Sequence, residues 1–349
     1  MLLLIAFLIT FLTTPLAIFI AKKTGLLDDK RRFHPAKTHQ GAVARGGGIS
    51  LYLGIFLTSL IFLQYSKVLA GILLGGLLTV LIGLWDDLRD LPPRFRFFLN
   101  ILTALIVVAM GVGVPFITNP LGGVLQLDTL KLTFDLFGTH SILIIADIFA
   151  VIWIVYLMNS IGWSAGVDGQ LPGFVAISAI VIAILSSRFA AHDISQVVVG
   201  NLALITAGSF LGFLPWNFYP QKIMPGYGGK TLAGLMLAVL SILSGAKVGT
   251  AILVLGLPMA DSFYTLLRRI LSKKSPFVAD RGHLHHKLLD LGWGRRKIAV
   301  FYWIVSIVLG LFALNLTSGG KLFAIVVIIL ILGIFLLALK LLRFFGVLA

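Results

Sequence analysis

The sequence of 349 residues contains no cysteine, and only 12% of its residues are charged. The absence of cysteine excludes disulfides, thiolate nucleophiles and zinc or iron–sulfur sites with cysteine ligands. Any bound metal must therefore be held by oxygen or imidazole. Glutamate is also missing, so all 13 acidic residues are aspartates. Since soluble domains carry about 25% charged residues, this charge is too low to cover a water-soluble core. With 59% hydrophobic residues, the composition indicates an integral membrane protein.

The apolar residues form runs long enough to cross a bilayer with a hydrocarbon core about 30 Å thick. We count eleven candidate transmembrane helices, or ten because several runs are short or rich in glycine. They lie at 2–21, 46–64, 68–85, 97–115, 141–158, 173–187, 196–214, 231–244, 248–266, 299–316 and 322–342. The first run is followed, not preceded, by lysines, which favours a retained helix over a signal peptide. The predicted fold is an all-α polytopic membrane protein with one domain, 1–349.

The basic residues predict which way the helices face. Of 28 lysines and arginines, 23 lie in the loops after odd-numbered helices or in the C-terminal tail. This bias places those loops and the C-terminus in the cytoplasm, and the N-terminus outside. The formal charge of +15 also suits anionic lipid head groups or phosphorylated substrates. On the opposite face, the alternation of apolar and polar residues over 122–135 predicts a small exterior β-hairpin.

The first cytoplasmic loop combines basic residues with glycines. Lys37, His39 and Arg45 precede the three glycines at 46–48. Glycines let backbone N–H groups approach a phosphate, with the basic side chains as charge partners. Basic residues at a cytoplasmic helix end are, however, usually topology anchors, so this loop alone is a weak signal.

The second loop begins with two adjacent carboxylates, Asp86 and Asp87, at the end of a hydrophobic helix. Two carboxylates near an apolar environment repel each other, so they favour a cation or a raised pKa for one of them. Solvated capping is the simpler interpretation, but negative charge opposes the helix dipole at that end. The pair therefore predicts a functional site.

The third and fourth loops carry weaker signals. Asp168 lies between glycines, downstream of Asn159, and an isolated Asp-Gly is usually a turn. In the fourth loop, glycines at 226–229 precede Lys230 at the start of a helix. The spacing excludes a nucleotide-hydrolase P-loop. A backbone anion site at this helix start, assisted by the lysine, remains reasonable.

The fifth loop concentrates imidazoles beside an arginine. Arg281 precedes three histidines within four residues, His283, His285 and His286. Such a cluster can bind a metal or line a site for phosphate and base.

Taken together, these loops resemble the polyprenyl-phosphate N-acetylhexosamine-1-phosphate transferases, glycosyltransferase family 4. The resemblance extends over residues 25–292 and includes five cytoplasmic motifs in the family's order. It is closer to the undecaprenyl-phosphate N-acetylglucosamine-1-phosphate transferase branch than to the phospho-MurNAc-pentapeptide transferase branch, because the histidine segment 280–286 has the form typical of the former. In the aspartate motif, Arg96 stands where lysine is usual.

Two motifs depart from the family pattern. In the central loop, Gly162 replaces an asparagine and Ala165 replaces an aspartate, so that Asp168 alone survives. In the fourth loop, Tyr227 stands where the family has a metal-ligand aspartate, and Lys230 stands where it has serine. These exchanges remove one metal ligand and add positive charge beside the expected diphosphate.

The resemblance implies that an oxygen of a membrane polyprenyl phosphate attacks the β-phosphorus of a UDP-N-acetylhexosamine, releasing UMP. It implies that Asp86 orients or deprotonates the acceptor phosphate, and that Asp87 and Asp168 hold Mg²⁺ or Mn²⁺ or face the diphosphate. The two adjacent aspartates can exchange roles. Asn159 would position substrate, and the fifth-loop arginine and histidines would hold diphosphate and nucleotide. The assisting residues would be Lys37, His39, Arg45 and Lys230.

Three alternatives remain open at this stage. A diverged homologue would bind polyprenyl phosphate or nucleotide sugar without turnover, and a phospho-MurNAc-pentapeptide transferase-like activity would use another donor. A transporter of anionic solutes would carry charge at mid-membrane, whereas only Asp147 and Asp261 lie within spans, both near ends. The expected partners are lipids, polyprenyl phosphate and UDP-sugar rather than nucleic acid. The sequence does not decide between a monomer and a homodimer.

Overall fold

The computed structural model describes residues 1–28, 41–119, 122–135, 139–191, 193–244, 248–275 and 281–344. This part of the chain is mainly helical, with a few short strands. The helices are α1 (Leu2–Thr24), α2 (Gly48–Phe62), α3 (Lys67–Arg89), α4 (Pro93–Ala109), α5 (Ile144–Ser164), α6 (Gln170–Phe189), α7 (Ser195–Asn217), α8 (Gly226–Leu243), α9 (Val248–Val254), α10 (Gly256–Leu271), α11 (Leu284–Asp290), α12 (Arg295–Asn315) and α13 (Ser318–Phe344). The strands are β1 (Leu27–Asp28), β2 (Val43–Ala44), β3 (Phe116–Thr118), β4 (Val124–Gln126), β5 (Lys131–Asp135) and β6 (Thr139–Leu143).

Within the described ranges, eight helices are long and apolar enough to cross a membrane, as expected of an integral membrane protein. They are α1, α3, α5, α6, α7, α8, α12 and α13. Helices α9 and α10 make a ninth span if taken together, although the chain bends by 85° between them. Helices α2 and α4 coincide with two further predicted spans but have 15 and 17 residues. Every predicted segment thus coincides with a helix or the bent pair, while the count of eleven spans stays a prediction.

Helix ends follow ordinary local chemistry. Helix α1 ends at Gly25, whose φ of 73° is the left-handed conformation that glycine adopts without strain. Helix α3 begins after Ser66, whose hydroxyl accepts the Leu69 N–H at 3.1 Å. Helix α4 begins at Pro93, where the missing N–H costs no helical hydrogen bond. The short helix α11, within the histidine segment, is not among the predicted elements.

The region expected to form one β-hairpin is arranged differently. Strand β4 pairs antiparallel with β3, and β5 pairs antiparallel with β6. The two alternating segments of 122–135 are therefore strands, but each pairs with a neighbour on its outer side. Alternation predicts that a segment is extended and leaves its partner undetermined. The exterior location of these hairpins stays a prediction.

Helix α8 lies at the centre of the bundle, since 83% of its residues are buried. It packs against α2, α3, α5, α6 and α7. Glycines allow the closest of these contacts: a Cβ at Gly83 of α3 would overlap the Cα and N of Gly228. On the α5 side, a Cβ at Gly234 would lie 2.5 Å from the carbonyl oxygen of Leu157. Small residues let membrane helices approach backbone to backbone.

The segments that join these helices meet at one end of the bundle. Strand β2 runs into the start of α2, and Ala44 forms a parallel bridge with Ile223, just before α8. The Met224 N–H donates to the Ala44 carbonyl at 2.8 Å. The C-terminus of α3 and the N-terminus of α8 lie at the same end, because Gly83 contacts Gly228. The predicted polar loops therefore have a common location.

We expect Gly83→Ala to lower the thermal stability of the detergent-solubilised protein, because the added methyl group overlaps the backbone of α8. Overpacking of this kind costs about 1–3 kcal/mol. The matched control is Gly333→Ala, also in a spanning helix, where an added Cβ meets no atom within 4 Å. Equal unfolding temperatures for the two variants would contradict the close α3–α8 contact.

Candidate active site

The side chain of Asp87, a residue of α3, contacts the N-terminus of α8. One helical turn after Gly83, it is on the α3 face that contacts α8, and it is 1% exposed. Its Oδ1 accepts the Tyr227 N–H at 3.3 Å and lies 3.4 Å from Arg45 Nε. The start of a helix carries partial positive charge and unpaired N–H groups. The anion seated at the α8 N-terminus is therefore a side chain of the protein itself.

Asp86 faces another way and has its own cation. Arg96 Nη1 lies 3.2 and 3.1 Å from its two carboxylate oxygens. The Leu91 N–H also donates to it, at 3.1 Å. The sequence predicts that the two aspartates form one repelling pair. Since adjacent residues on a helix point about 100° apart, each instead pairs with a different arginine.

The glycines before α2 serve close packing. Gly47 N–H donates to the Met224 carbonyl at 3.1 Å, and Gly48 N–H donates to the Pro225 carbonyl at 3.0 Å. These N–H groups bond the segment before α8, so the expectation that they approach a phosphate is wrong. Arg45 does join the site, because its Nη1 also lies 3.5 Å from Asp90. Lys37 and His39 lie outside the described residues.

Tyr227 and Lys230, the two residues of α8 that depart from the family pattern, have different neighbours. The Tyr227 hydroxyl accepts a hydrogen bond from Asn100 Nδ2 at 2.9 Å, and its ring lies 5.0 Å below the Arg96 guanidinium. Tyr227 thus packs beside the Asp86–Arg96 pair. Half-buried Lys230 lies within electrostatic range of Asp87 and Arg45.

Lys230 lies beside Gly162 of α5, where the sequence also differs from the family pattern. A Cβ at Gly162 would lie 3.9 Å from the Cβ of Lys230, and no other described atom from outside the adjoining turns of α5 lies within 4 Å of that point. The absence of a side chain at Gly162 in α5 therefore leaves room for the Lys230 side chain of α8. The two exchanges, 68 positions apart in sequence, are adjacent in space.

Asp168 is 1% exposed and has one carboxylate oxygen in use. Its Oδ2 accepts the Gln221 N–H at 3.3 Å and lies 3.7 Å from Arg295 Nη1. Its Oδ1 is buried and has no hydrogen-bond partner in the part of the chain that the structure describes. A buried carboxylate oxygen without a donor is costly unless a ligand satisfies it.

The loop around Asp168 is held at several points. The Gly169 N–H donates to Asn217 Oδ1 at 3.1 Å, and Trp303 Nε1 donates to the Gly169 carbonyl at 3.2 Å. Gly169 has a φ of 75°, which glycine adopts without strain. Asn159, in contrast, donates to the Val155 carbonyl of its own helix at 2.7 Å.

The three histidines contact one another and the third loop. The ring centroids of His285 and His286 are 4.2 Å apart, and those of His283 and His285 are 5.8 Å apart. His285 lies against Gly166, where an added Cβ would overlap the imidazole ring. The fifth loop is thereby brought within two residues of Asp168.

Two of these imidazoles are neutral at physiological pH. Burial, assisted by the positive charge of Arg281, lowers the pKa of His286 to about 4. Burial and the neighbouring His286 lower the pKa of His285 well below its usual range. Their Nδ1 atoms are buried and have no hydrogen-bond partner among the described residues. They can therefore offer directional hydrogen bonds, while the positive charge comes from other residues.

Arg281 is half-exposed and donates to Asp290 at 2.9 Å. It remains close enough to the histidines to affect their protonation. The structure thus places it beside the site, in an ion pair with an aspartate of α11.

The resemblance implies a divalent cation, which would need oxygen or imidazole ligands at this site. Among the described residues, no three histidine or acidic side chains lie close enough together to hold a metal. Magnesium is, however, commonly bound by one or two carboxylates together with substrate phosphates. The unsatisfied Oδ1 of Asp168 fits such an ion, and Asp87 is the second candidate.

Several residues that shape the site could not be assigned a role from the sequence. Arg96 received no role, although it follows Asp86 across a Pro-Pro turn that reverses the chain. In the sequence, Arg295 is only one of the 23 basic residues whose distribution predicts topology. Asp261 was noted only as lying in a span, yet it contacts His283 at 3.0 Å. An aspartate inside an apolar helix is itself a signal of a specific partner.

Comparison with known proteins identifies the family. Residues 69–245 match the model of glycosyl transferase family 4. An undecaprenyl-phosphate alpha-N-acetylglucosaminyl 1-phosphate transferase of Thermotoga maritima is 32% identical over 79% of this chain and 77% of its own length. A probable undecaprenyl-phosphate N-acetylglucosaminyl 1-phosphate transferase of Bacillus subtilis is 28% identical over 90% and 85%. A phospho-N-acetylmuramoyl-pentapeptide-transferase of Staphylococcus epidermidis is 25% identical over 89% and 96%.

The matched region contains both aspartates of α3, Asp168 and the start of α8, which are the groups that the structure brings to one end of the bundle. Membership and site geometry therefore agree, and the chain belongs to glycosyl transferase family 4.

Proposed function

We propose that this chain transfers N-acetylglucosamine-1-phosphate from UDP-N-acetylglucosamine to a polyprenyl phosphate, undecaprenyl phosphate in the first instance. An acceptor phosphate oxygen forms a bond to the β-phosphorus, the bond from that phosphorus to the bridging oxygen breaks, and UMP leaves. The lipid-linked product would start a cell-envelope polysaccharide.

One observation carries this proposal: a membrane-embedded bundle gathers buried carboxylates, arginines, a lysine and imidazoles at one end. The residues are Arg45, Asp86, Asp87, Arg96, Asp168, Lys230, His283, His285 and His286. A polyprenyl chain needs the bilayer, and a nucleotide diphosphate needs cations in a protected site. Phosphoryl transfer depends mainly on positioning and on stabilising charge.

The carboxylates divide into two roles. Asp87 and Asp168 face the diphosphate and would hold Mg²⁺ or Mn²⁺ together with its oxygens. When bound, the metal would supply positive charge to the developing negative charge of the leaving group. Asp86 orients the acceptor phosphate through Arg96, whose side chain is 29% exposed and has further N–H groups available.

The remaining groups bind and orient the donor. Arg45 and Lys230 add positive charge beside Asp87. The neutral imidazoles of His285 and His286 donate or accept hydrogen bonds at phosphate or nucleotide oxygens without adding charge. This division places net attraction for phosphate on the arginines and the lysine.

The direct test uses the purified protein with radiolabelled UDP-N-acetylglucosamine and undecaprenyl phosphate, and it measures label extracted with lipid. We expect lipid-linked label that depends on the acceptor. Label obtained only with UDP-MurNAc-pentapeptide would assign the chain to the other branch. Binding of both substrates without product would make it a non-catalytic homologue.

We expect Asp86→Asn and Asp87→Asn each to lower turnover by at least about 10²-fold, because an amide cannot balance the adjacent arginine, hold a cation or accept a proton. Both variants should remain folded, since an asparagine oxygen can still accept the Leu91 or Tyr227 N–H. Asp128→Asn, at an exposed position away from the site, is the control. Turnover near that of Asp128→Asn in either variant would show that the chemistry lies elsewhere.

We further propose that the site faces the cytoplasm, in the inner membrane. Since the chain has no cysteine, single cysteines report cleanly on topology. In intact cells, an impermeant maleimide should label Tyr65→Cys and Asp193→Cys, and should label Arg89→Cys and Lys274→Cys only after permeabilisation. External labelling of the last two would reverse the orientation. Labelling of Arg89→Cys and Lys274→Cys from opposite sides would rule out a shared site.

The exchanges at Tyr227 and Lys230 predict a weaker dependence on magnesium. If the Lys230 ammonium contacts the diphosphate, wild-type protein should retain UDP-sugar binding in EDTA. Lys230→Ser should then weaken that binding about ten- to a hundredfold, equivalent to about 1.5–3 kcal/mol for a charged hydrogen bond. Adding Tyr227→Asp to Lys230→Ser should restore binding only when magnesium is present.

Equilibrium binding of labelled UDP-sugar, with and without magnesium, measures these differences independently of turnover. Lys222→Ser is the matched control, since Lys222 lies over the Trp216 ring rather than beside Asp87. Identical magnesium dependence in wild type, Lys230→Ser and the double variant would leave Tyr227 as a packing residue and Lys230 without a metal-replacing role.

A further inference from the structure

Asp261 is a fully buried aspartate in α10, outside the set of residues used above. Its Oδ2 lies 3.0 Å from His283 Nδ1, and its Oδ1 accepts the Leu284 N–H at 2.7 Å. Both carboxylate oxygens therefore contact the histidine segment, at His283 and Leu284. A buried carboxylate is tolerated when its oxygens are paired in this way.

The contact joins two parts of the site that are distant in sequence. Helix α10 is fastened to the C-terminal part of α5, since Ser262 donates to the Ser160 carbonyl at 3.1 Å and Ser164 donates to the Pro258 carbonyl at 3.1 Å. Helix α5 leads directly into the Asp168 loop. Asp261 thus connects the histidine segment to the same framework that places Asp168.

The ring of His283 is also fixed in plane. Its centroid lies 6.5 Å from that of Trp163 and 5.8 Å from that of His285, with the two imidazoles nearly parallel. Thr265 Oγ1 lies 3.4 Å from the same Nδ1 that meets Asp261. Neighbouring residues therefore fix the position and plane of the His283 ring and the contacts of its Nδ1.

The proton arrangement follows from what a carboxylate can do. An ionised carboxylate only accepts hydrogen bonds, so the Asp261 contact requires a proton on His283 Nδ1. In the neutral ring, the lone pair is then on Nε2. A histidine held in this way by a carboxylate has a defined tautomer and orientation.

We infer that Asp261 is a positioning residue that fixes the tautomer of His283 and the start of α11, so that Nε2 is the nitrogen offered to the substrate. This inference rests on the proposed function, because the substrate phosphate or nucleotide is the group that Nε2 would meet. It adds a residue of the bent α9–α10 pair to the catalytic arrangement.

The deciding measurement of the first test is made on protein with Asp261 intact. In protein labelled with nitrogen-15 histidine, the His283 signals are identified by their loss in His283→Gln. We expect a protonated Nδ1 in wild type, and a shift of the proton to Nε2 in Asp261→Asn, whose amide donates to a bare Nδ1. A bare Nδ1 in wild type overturns the inference, even if Asp261→Asn does not fold and even if the chain proves inactive.

The second test separates positioning from general stability. Asp261→Asn should lower kcat about ten- to a hundredfold, the range found when the orienting partner of a metal-ligating histidine is removed, with little change in KM. In the His283→Gln background, the same substitution should change kcat by less than about twofold, because its effect passes through His283. Equal losses in both backgrounds would make Asp261 a structural residue.

Asp147→Asn is the matched control, because Asp147 also accepts a backbone N–H, that of Leu143 at 3.0 Å, at the far end of α5. We expect it to leave kcat and the His283 signals unchanged. If wild type shows no transfer while the nitrogen-15 spectrum is as expected, the proposed function fails and the Asp261–His283 contact stands.

Discussion

The placement of the Asp87 carboxylate at the N-terminus of α8 is the constraint on which the site depends. It requires α3 and α8 to touch backbone to backbone, which Gly83 and Gly228 permit. A negative charge at a helix N-terminus contributes up to about 2 kcal/mol when partly buried, but a buried carboxylate also needs a cation. Arg45 supplies that cation and brings the start of α2 into the site. One ionic contact therefore aligns three helices and their loops.

The charges around this contact suit a phosphorylated ligand. Asp86 and Asp87 are offset by Arg96 and Arg45, which leaves the Lys230 ammonium as additional positive charge. His285 and His286 remain neutral because burial lowers their pKa values. The site thus combines positively charged side chains with uncharged, directional imidazoles, an arrangement that can hold a diphosphate and still allow UMP to leave.

Much of this arrangement could be predicted from the sequence, because apolar runs and clustered polar loops are local signals. All eleven predicted segments coincide with helices, and the histidine segment does contact the loop of Asp168, at Gly166. Pairing could not be predicted, since alternation over 122–135 identifies strands without their partners. The glycines at 46–48 suggested a phosphate site or a simple topology anchor, and neither interpretation predicted that Gly47 and Gly48 donate hydrogen bonds to Met224 and Pro225. An aspartate inside an apolar helix signals that Asp261 has a partner, but the identity of that partner, His283, could not be predicted because it is 22 residues away.

The central claim is that the β-phosphorus moves together with the sugar. The most direct measurement uses UDP-N-acetylglucosamine with a radioactive β-phosphorus and a tritiated sugar, purified protein and undecaprenyl phosphate. We expect both labels to enter the lipid in equal amounts and UMP to form in the same amount. Tritium in the lipid without the phosphorus label, accompanied by UDP, would contradict it, because the sugar alone would then have been transferred.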